Sequence, residues 1–572
     1  MRKIAIFLLV SALLLSLNCA PKPTVPTSGN VSTKLRFDDG TARSGINFRH
    51  VPTRTAEKWM PQIMGSGVGI IDVNRDGAPD VVLVNSGAMR ATERSVDART
   101  RLYVNDGHGN FTDDTDKWKL PSAGYGMGVA VGDFDNDGWP DLFLTTYDGK
   151  DLLLRNTGTE FTDVTAKAGV QSDGKWSTSA GFFDLENDGD LDLFLVRYID
   201  YSPENAVKTY RNGVPTYSTP ILYQPVPDRL FRNNGNGTFT DVSQTAGLSA
   251  AARKGLALAL GDIDLDGDTD IYVANDTNPN QLWLNDGKGG LRDVAALSGV
   301  AYSEAGAEEG SMGADFSDYD GNGLLDIICA NFQTETTALY QQDQPLLFRE
   351  VSDAVGIGEA ARGRLKFGID FFDADNDGDE DLLVANGHIE DNIEQNSSTV
   401  TFAQLNSLYE NLGNGKFSDV SAVAGRALAD QQVSRSLVTA DLDGDGDLDF
   451  IVTNNGGTAQ VGINSTEEKN GFVILWLEGG NANRSAIGAR VLAKVGGRTI
   501  QRQVMGAQSY LSVSDLRLHF GLGSAFKIDE LTVYWPGGET QVFRDLGGGS
   551  FYHLVQGRDP VKFIPGAVVI AP

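Results

Sequence analysis

The chain has 572 residues and a formal net charge of −30, with 47 Lys and Arg set against 77 Asp and Glu. That balance, with no Lys/Arg cluster to neutralise phosphates, excludes nucleic acid as a partner. Two cysteines exclude a disulfide-stapled scaffold, and 67 glycines suit many tight turns better than long helices.

At the N-terminus Arg2-Lys3 precedes an apolar run from Ile4 to Leu17, too short for a membrane span but right for a signal peptide. Cys19 follows, and then a Pro/Thr/Ser stretch. The pattern predicts a lipoprotein-type signal over 1–19 with Cys19 lipidated, then a flexible tether over 20–32. Ser16-Leu17-Asn18 departs from the usual box, so cleavage by an ordinary signal peptidase stands as the alternative. The expected location is extracytoplasmic. It is an outer-membrane or cell-surface lipoprotein touching the membrane only through its lipid, or else a secreted protein. Cys329, in the apolar run Ile327-Ile-Cys-Ala, is expected to be a packed core thiol.

From residue 72 onward an acidic loop, D-x-[DNE]-x-[DN]-G-x-x-D, recurs seven times. Oxygen ligands at alternate positions closed by a carboxylate make a hard cage suited to Ca²⁺. The expected ligands are side chains at positions 1, 3, 5 and 9 and the carbonyl at position 7. They are Asp72, Asn74, Asp76, Ala78 and Asp80 in the first loop, and Asp133, Asp135, Asp137, Trp139 and Asp141 in the second. The third has Asp184, Glu186, Asp188, Asp190 and Asp192, and the fourth Asp262, Asp264, Asp266, Asp268 and Asp270. The fifth, the loosest, has Asp318, Asp320, Asn322, Leu324 and Asp326. The sixth has Asp373, Asp375, Asp377, Asp379 and Asp381, and the seventh Asp441, Asp443, Asp445, Asp447 and Asp449. Up to seven Ca²⁺ ions are expected. An EF-hand is rejected, because position 12 holds Leu83, Leu144, Leu195, Val273, Cys329, Val384 or Val452 instead of a bidentate Glu. Short β-prone runs flank each loop, predicting strand, acidic turn, strand.

A second motif alternates with the loops: L-[aromatic]-x-N-x-G-x-G-x-F-[TS]-D-V, as in Leu230 to Val242, with other copies centred on Phe111, Phe161, Leu291, Phe348 and Phe417. Its Asn/Asp-Gly pairs predict hairpins. Each repeat then supplies four strands, close to one propeller blade. The seventh loop has no such motif after it, whereas an orphan half-motif, Leu35-Arg-Phe37-Asp-Asp39, precedes the first. An N-terminal strand completing the last blade accounts for both. The predicted fold is all-β: a seven-bladed propeller over 33–465 closed by that strand, a small C-terminal β domain over 470–557, and a tail over 558–572.

The loops joined by N-x-G-x-G-x-F-T-D-V resemble FG-GAP/VCBS repeats, as in the integrin α-subunit propeller. Ile487-Gly-Ala-Arg490, Gly496-Gly497, Ser509-Tyr-Leu-Ser512, Leu518-His-Phe-Gly-Leu-Gly523 and Val533-Tyr-Trp-Pro-Gly-Gly538 resemble the ASPIC/UnbV domain of cartilage-acidic-protein-like chains. The resemblance implies calcium binding and extracellular interaction, and no activity.

The five histidines have no zinc spacing, and no nucleophile elbow or nucleotide loop is present. A binding, adhesion or scaffold role is therefore expected, with an extracellular polysaccharide hydrolase or lyase as the alternative. Long insertions follow the strands leaving Asp80, Asp192 and Asp381, all at one topological point. They are expected to gather on the face opposite the calcium loops and to carry a protein or glycan ligand there. Tyr201, Tyr210, Tyr217, Tyr223 and His388 are the candidate contacts, with a plug over the central channel as the alternative for the tyrosines.

Overall fold

The computed structural model describes residues 32–89, 98–467, 470–480 and 482–567. The expected signal segment, Cys19, most of the tether and the last five residues lie outside them. Strands dominate, and the helices are single turns of three or four residues. Among the described residues, no helix is long and apolar enough to cross a membrane.

Seven four-stranded antiparallel sheets follow one plan. In the second, Gly126–Gly132 runs into the acidic loop, Asp141–Thr146 leaves it, and Leu152–Asn156 and Phe161–Asp163 form the outer hairpin. The second strand of every sheet begins at the position-9 aspartate: Asp80, Asp141, Asp192, Asp270, Asp326, Asp381 or Asp449. The glycine at position 6 has positive φ in all seven loops, from 81° at Gly77 to 98° at Gly267. Only a residue without Cβ takes that bend freely. In the last sheet the fourth strand is Phe37–Asp39, paired as Phe37↔Asn464 and Asp39↔Gly462, which is the pairing the orphan half-motif implies.

The sheets stack through their broad faces over apolar cores, and the core between the second and third sheets is continuous with that of the C-terminal sheets. Leu142, Leu144 and Val129 of the second sheet meet Val82 and Val84 of the first. At the junction of the seventh sheet with the first, Val438, Ile451 and Val461 meet Val68, Ile70 and Tyr103. At roughly 25 cal/mol per Å² of apolar surface, such interfaces dominate the stabilising terms.

The C-terminal residues build two further sheets. Leu518–Gly523, Gly471–Glu478, Ser550–Val555 and Val561–Phe563 form one, in which the Gly471 and Ser550 strands run parallel. Arg498–Gln503, Arg490–Val495, Lys527–Tyr534 and Thr540–Gly547 form the other. Val473, Leu475, Val491, Phe520, Leu531 and Val533 fill the space between them. Val561–Phe563 belongs to this sheet although the sequence assigned it to the tail.

The segment between these sheets, Ala507 to Ser514, runs along the first strands of the repeat sheets. Ser509 and Ala314 exchange backbone hydrogen bonds of 2.7 and 3.3 Å, Ile70 N donates to Val513 O at 3.0 Å, and Leu260 N to Ala507 O at 3.2 Å. The approach leaves no room for side chains: a Cβ on Gly67 would lie 2.6 Å from Leu511 O and 2.7 Å from Met127 O. The Ser509-Tyr-Leu-Ser512 motif is thus the part of the C-terminal region that enters the repeat core.

Candidate metal centres

Within each loop, side chains fold back on the backbone. Asp72 accepts from Asp76 N at 3.0 Å and Gly77 N at 2.9 Å, and Asp76 accepts from Ala78 N at 2.9 Å. The same bonds recur in the second loop, at Asp133 and Asp137. These are Asx-type turns, which curl the chain so that its carboxylates converge. In five loops the convergence is tight. Asp133, Asp135 and Asp141; Asp262, Asp264 and Asp270; Asp318, Asp320 and Asp326; Asp373, Asp375 and Asp377; and Asp441, Asp443 and Asp449 each place carboxylate oxygens within 4.8 Å of one another.

The loops at Asp72 and Asp184 do not form such a triad. At position 3 one has Asn74, whose amide donates to Asp76 at 2.9 Å, and the other has Glu186, which faces Arg232 at 3.6 Å. The fifth loop, weakest in sequence, is brought together as well as the others.

Burial and mutual repulsion set the electrostatics. Burial first, then neighbouring carboxylates, raise Asp72 to about 7 and Asp441 to about 8. Burial likewise raises Asp133 and Asp262 to about 7, and Asp192 to about 8. Asp135 Oδ1, Asp262 Oδ1, Asp318 Oδ1 and Asp443 Oδ1 are buried without any hydrogen-bond partner. A divalent cation would supply what these atoms lack, since hard oxygen donors at this spacing suit Ca²⁺ or a similar ion. The residues present therefore fit the metal that the loops suggest.

Position 9 has a second task, which the sequence analysis missed. Asp80 Oδ2 accepts from Val73 N at 2.9 Å and Oδ1 from Asn105 N at 2.8 Å. Asp141, Asp192, Asp270, Asp381 and Asp449 repeat both bonds. Each oxygen keeps a lone pair for a cation. The partner in the outer hairpin is the Asn of N-x-G-x-G, and its amide reaches the neighbouring sheet. Asn105 Nδ2 donates to Leu442 O at 2.8 Å, Asn156 to Val73 O at 3.0 Å and Asn233 to Phe134 O at 2.8 Å. Asn285 reaches Leu185 O at 2.9 Å, Asn411 Tyr319 O at 3.0 Å and Asn464 Ala374 O at 2.7 Å. In the fifth repeat, which lacks the Asn-Gly turn, Gln342 makes the same bond to Ile263 O at 3.2 Å. The chain of bonds runs from every repeat sheet to the one before it, and from the first to the seventh. The signal was available: an Asn at one fixed place in five of the six copies of the motif.

Position 4 links loops directly. Arg75 donates to Gly138 O, Asn136 to Gly189 O at 3.1 Å and Asp190 at 3.2 Å, Asn187 to Asp268, and Asn376 to Asp447 at 2.6 Å. Leu265, Gly321 and Gly444 occupy this position in the other loops and have no polar side chain to reach across.

The C-terminal sheets sit against the acidic loops. Arg75 pairs with the buried Glu478 at 2.8 Å, and Glu478 also holds His553 at 2.9 Å. Hydrogen bonds to His553, Arg75 and Arg484 outweigh burial and pull Glu478 down to about 2. Asn483 N donates to Gly189 O at 2.6 Å, Asn470 to Asp375 O at 2.8 Å, and Gln503 clasps both backbone groups of Asp262. His519 is buried against Gly446 O at 3.1 Å, and burial lowers its pKa to about 3.

The candidate ligand contacts lie at the other end of the sheets. Tyr201, Tyr217 and Tyr223 are buried among Met60, Trp176 and Tyr510, whereas Tyr210 is 61% exposed. Tyr201 OH accepts from Met60 N at 3.1 Å, and Tyr223 OH from Val207 N at 2.9 Å. His388 is buried, and burial lowers it to about 4. Of the four tyrosines, only Tyr210 presents its ring to solvent.

An FG-GAP-like repeat model matches residues 72–144, 133–195, 221–273, 262–329, 318–384 and 373–452, and an FG-GAP repeat model matches 434–476. An ASPIC and UnbV model matches 479–561. Cartilage acidic protein 1 of Mus musculus is 25% identical over 516 residues, covering 84% of this chain and 71% of its own. The Homo sapiens protein of that name is 24% identical over 531 residues, covering 87% and 72%. Among solved structures, the BP39L lectin of Burkholderia pseudomallei matches with a TM-score of 0.41 at 9% identity, over 70% of this chain and 95% of that one, a likeness too low to transfer anything.

Proposed function

The chain belongs to the FG-GAP repeat proteins that carry an ASPIC/UnbV domain, and we propose that it is a calcium-binding extracytoplasmic binding or scaffold protein. In this reading the seven repeat sheets close as a seven-bladed propeller with up to seven Ca²⁺ ions in its acidic loops. The hydrogen bonds from each hairpin Asn, or Gln342, to the preceding loop support closure, because they include the pair formed by Asn105 and Leu442. The observation that carries the calcium reading is the set of buried, partnerless carboxylate oxygens at position 1 or position 3 of four loops. Unpaired buried charge costs several kcal/mol per group unless it is neutralised, and a bound cation does so.

The ions are structural in this account. They hold the loops on which the C-terminal sheets rest, and they leave the opposite face, with its insertions, to meet a protein or glycan. A lipid on Cys19 would tether the molecule to a cell surface. Equilibrium dialysis with radioactive calcium tests the reading. Several ions should bind per chain, and Asp262→Ala with Asp264→Ala should remove one of them. A protein that binds no calcium at millimolar concentration contradicts it.

A further inference from the structure

At the end of the sheets away from the acidic loops lies a cavity of about 310 Å³. That volume is at the lower end of the range of small-molecule sites. Its floor is apolar and rich in methionine: Met60, Met64 and Met312 line it beside Leu365 and Phe367. Met89 and Met127 join the same cluster, so five of the chain's seven methionines gather here. Thioether side chains adapt to the shape of a ligand, and such gatherings are typical of binding surfaces.

The polar groups of the wall are mainly acceptors. Asp276, Glu335 and Glu390 line the cavity, and the one cation lining it is Arg211, on an exposed hairpin. Nearby cations are already engaged, Lys58 with the Asp391 carboxylate and Lys366 and Arg435 with backbone. Lys366 Nζ donates to Glu335 O at 2.8 Å and Phe332 O at 3.3 Å, and Arg435 to Ile63 O at 2.7 Å, Gly387 O at 3.0 Å and His388 O at 3.2 Å. Glu390 uses Oε1 to accept from Tyr217 N at 3.0 Å, but its Oε2 is buried without a partner. Gln333 Oε1 and the hydroxyl of the buried Tyr217 are also partnerless. His388 Nδ1 accepts from Glu390 N at 3.0 Å, which leaves Nε2 as a proton-bearing donor without an acceptor.

We propose that this cavity binds a small organic cation, an apolar body bearing a protonated amine, with the ammonium at Glu390 and the body on the methionine floor. An anion would meet three carboxylates there, and a purely apolar ligand would leave Glu390 Oε2 unpaired. An ammonium donates three hydrogen bonds and suits the two unpaired acceptors, Glu390 Oε2 and Gln333 Oε1. The proposal rests on the reading that this face is the binding face, and it names the chemistry of one site on it. The amine is either a free molecule or the side chain of a lysine in a protein partner.

Isothermal titration of the full chain in saturating calcium tests it, with 4-phenylbutylamine, 4-phenylbutan-1-ol and 4-phenylbutyrate as probes of equal size. The amine should bind, the alcohol about tenfold more weakly, and the acid not at all. Glu390→Gln should weaken the amine to the level of the alcohol and leave the alcohol unchanged, while Met312→Trp should displace both. An acetylated lysine peptide, compared with the unmodified one, separates the two sources of the amine. Equal binding of acid and amine, or an amine affinity indifferent to Glu390→Gln, overturns the proposal, as does silence from all three probes. The calcium-dependent melt of the same samples is read alongside. If it persists while amine binding fails, only the cavity assignment falls; if it is absent while the amine binds, only the calcium reading falls.

Discussion

The two ends of the repeat sheets are built on different principles. At the acidic end one local device occurs seven times, each copy made of residues within nine positions of one another. At the other end Met60, Tyr125, Trp176, Tyr201, Tyr217, Met312 and Tyr510 come from distant segments and pack into one cluster with no repeat. The acidic end gathers charge that requires a counter-ion. The opposite end gathers apolar and aromatic groups around a cavity. One end is specified by local spacing, the other by tertiary packing, and the Ala507–Ser514 segment ties the two together.

Acidity should separate the two ends most strongly. Asp72, Asp133 and Asp262 at about 7, and Asp192 and Asp441 at about 8, all lie above their unfolded values. The metal-free native state thus holds more protons than the unfolded chain between roughly pH 4 and 8, and its stability falls as pH rises through that window. The loss is at most about 1.4 kcal/mol per pH unit for each shifted carboxyl while pH lies between its unfolded and folded values. Melts in chelator should drop from pH 5 to pH 8, and saturating calcium should flatten or reverse the trend. A metal-free melt that rises with pH would count against the crowded-carboxylate picture.

Tyr510→Ala attacks the opposite end. The ring is fully buried and edge-on to Phe367 at 5.0 Å, so its loss should cost about 4 kcal/mol in denaturant unfolding while calcium stoichiometry stays unchanged. Asp270→Ala strips the acceptors from two buried backbone donors, Ile263 N and Asn285 N, and should cost about 3 kcal/mol and one calcium site. Asn136→Ala cuts a link between neighbouring loops at a cost of about 1 kcal/mol. Its distinguishing effect is a calcium titration less cooperative across the second and third sites. Tyr210→Ala, on an exposed ring, should shift stability by no more than about 0.5 kcal/mol.

The repeat end was readable from the chain because its chemistry is local. The acidic spacing, the position-6 glycines and the unpaired half-motif at Leu35–Asp39 foretold the loops, the strands that flank them and the addition of an N-terminal strand to the last sheet. The double service of the position-9 aspartates was missed, because Asn105 and Leu442 are joined to Asp80 only in three dimensions. The contacts of Gln503, Asn483 and Arg517 with the acidic loops were missed for the same reason. At the other end the sequence marked tyrosines and His388 as candidate contacts by their place in the insertions and by residue type. Which of them face solvent depends on packing against Trp176 and Tyr510, some hundreds of residues apart. Gln342 is instructive between these extremes: its repeat looked broken in sequence, yet one longer amide preserves the bond that the Asn makes elsewhere.

The most direct test is the thermal melt of the purified full chain, followed by circular dichroism, in excess EGTA and after calcium is restored. Calcium bound only to the native state should raise the midpoint by about 10 °C or more, and restoring it should recover the original curve. A midpoint unchanged by EGTA, in protein shown by elemental analysis to have lost its calcium, would contradict the claim that these acidic loops are calcium-dependent structural sites.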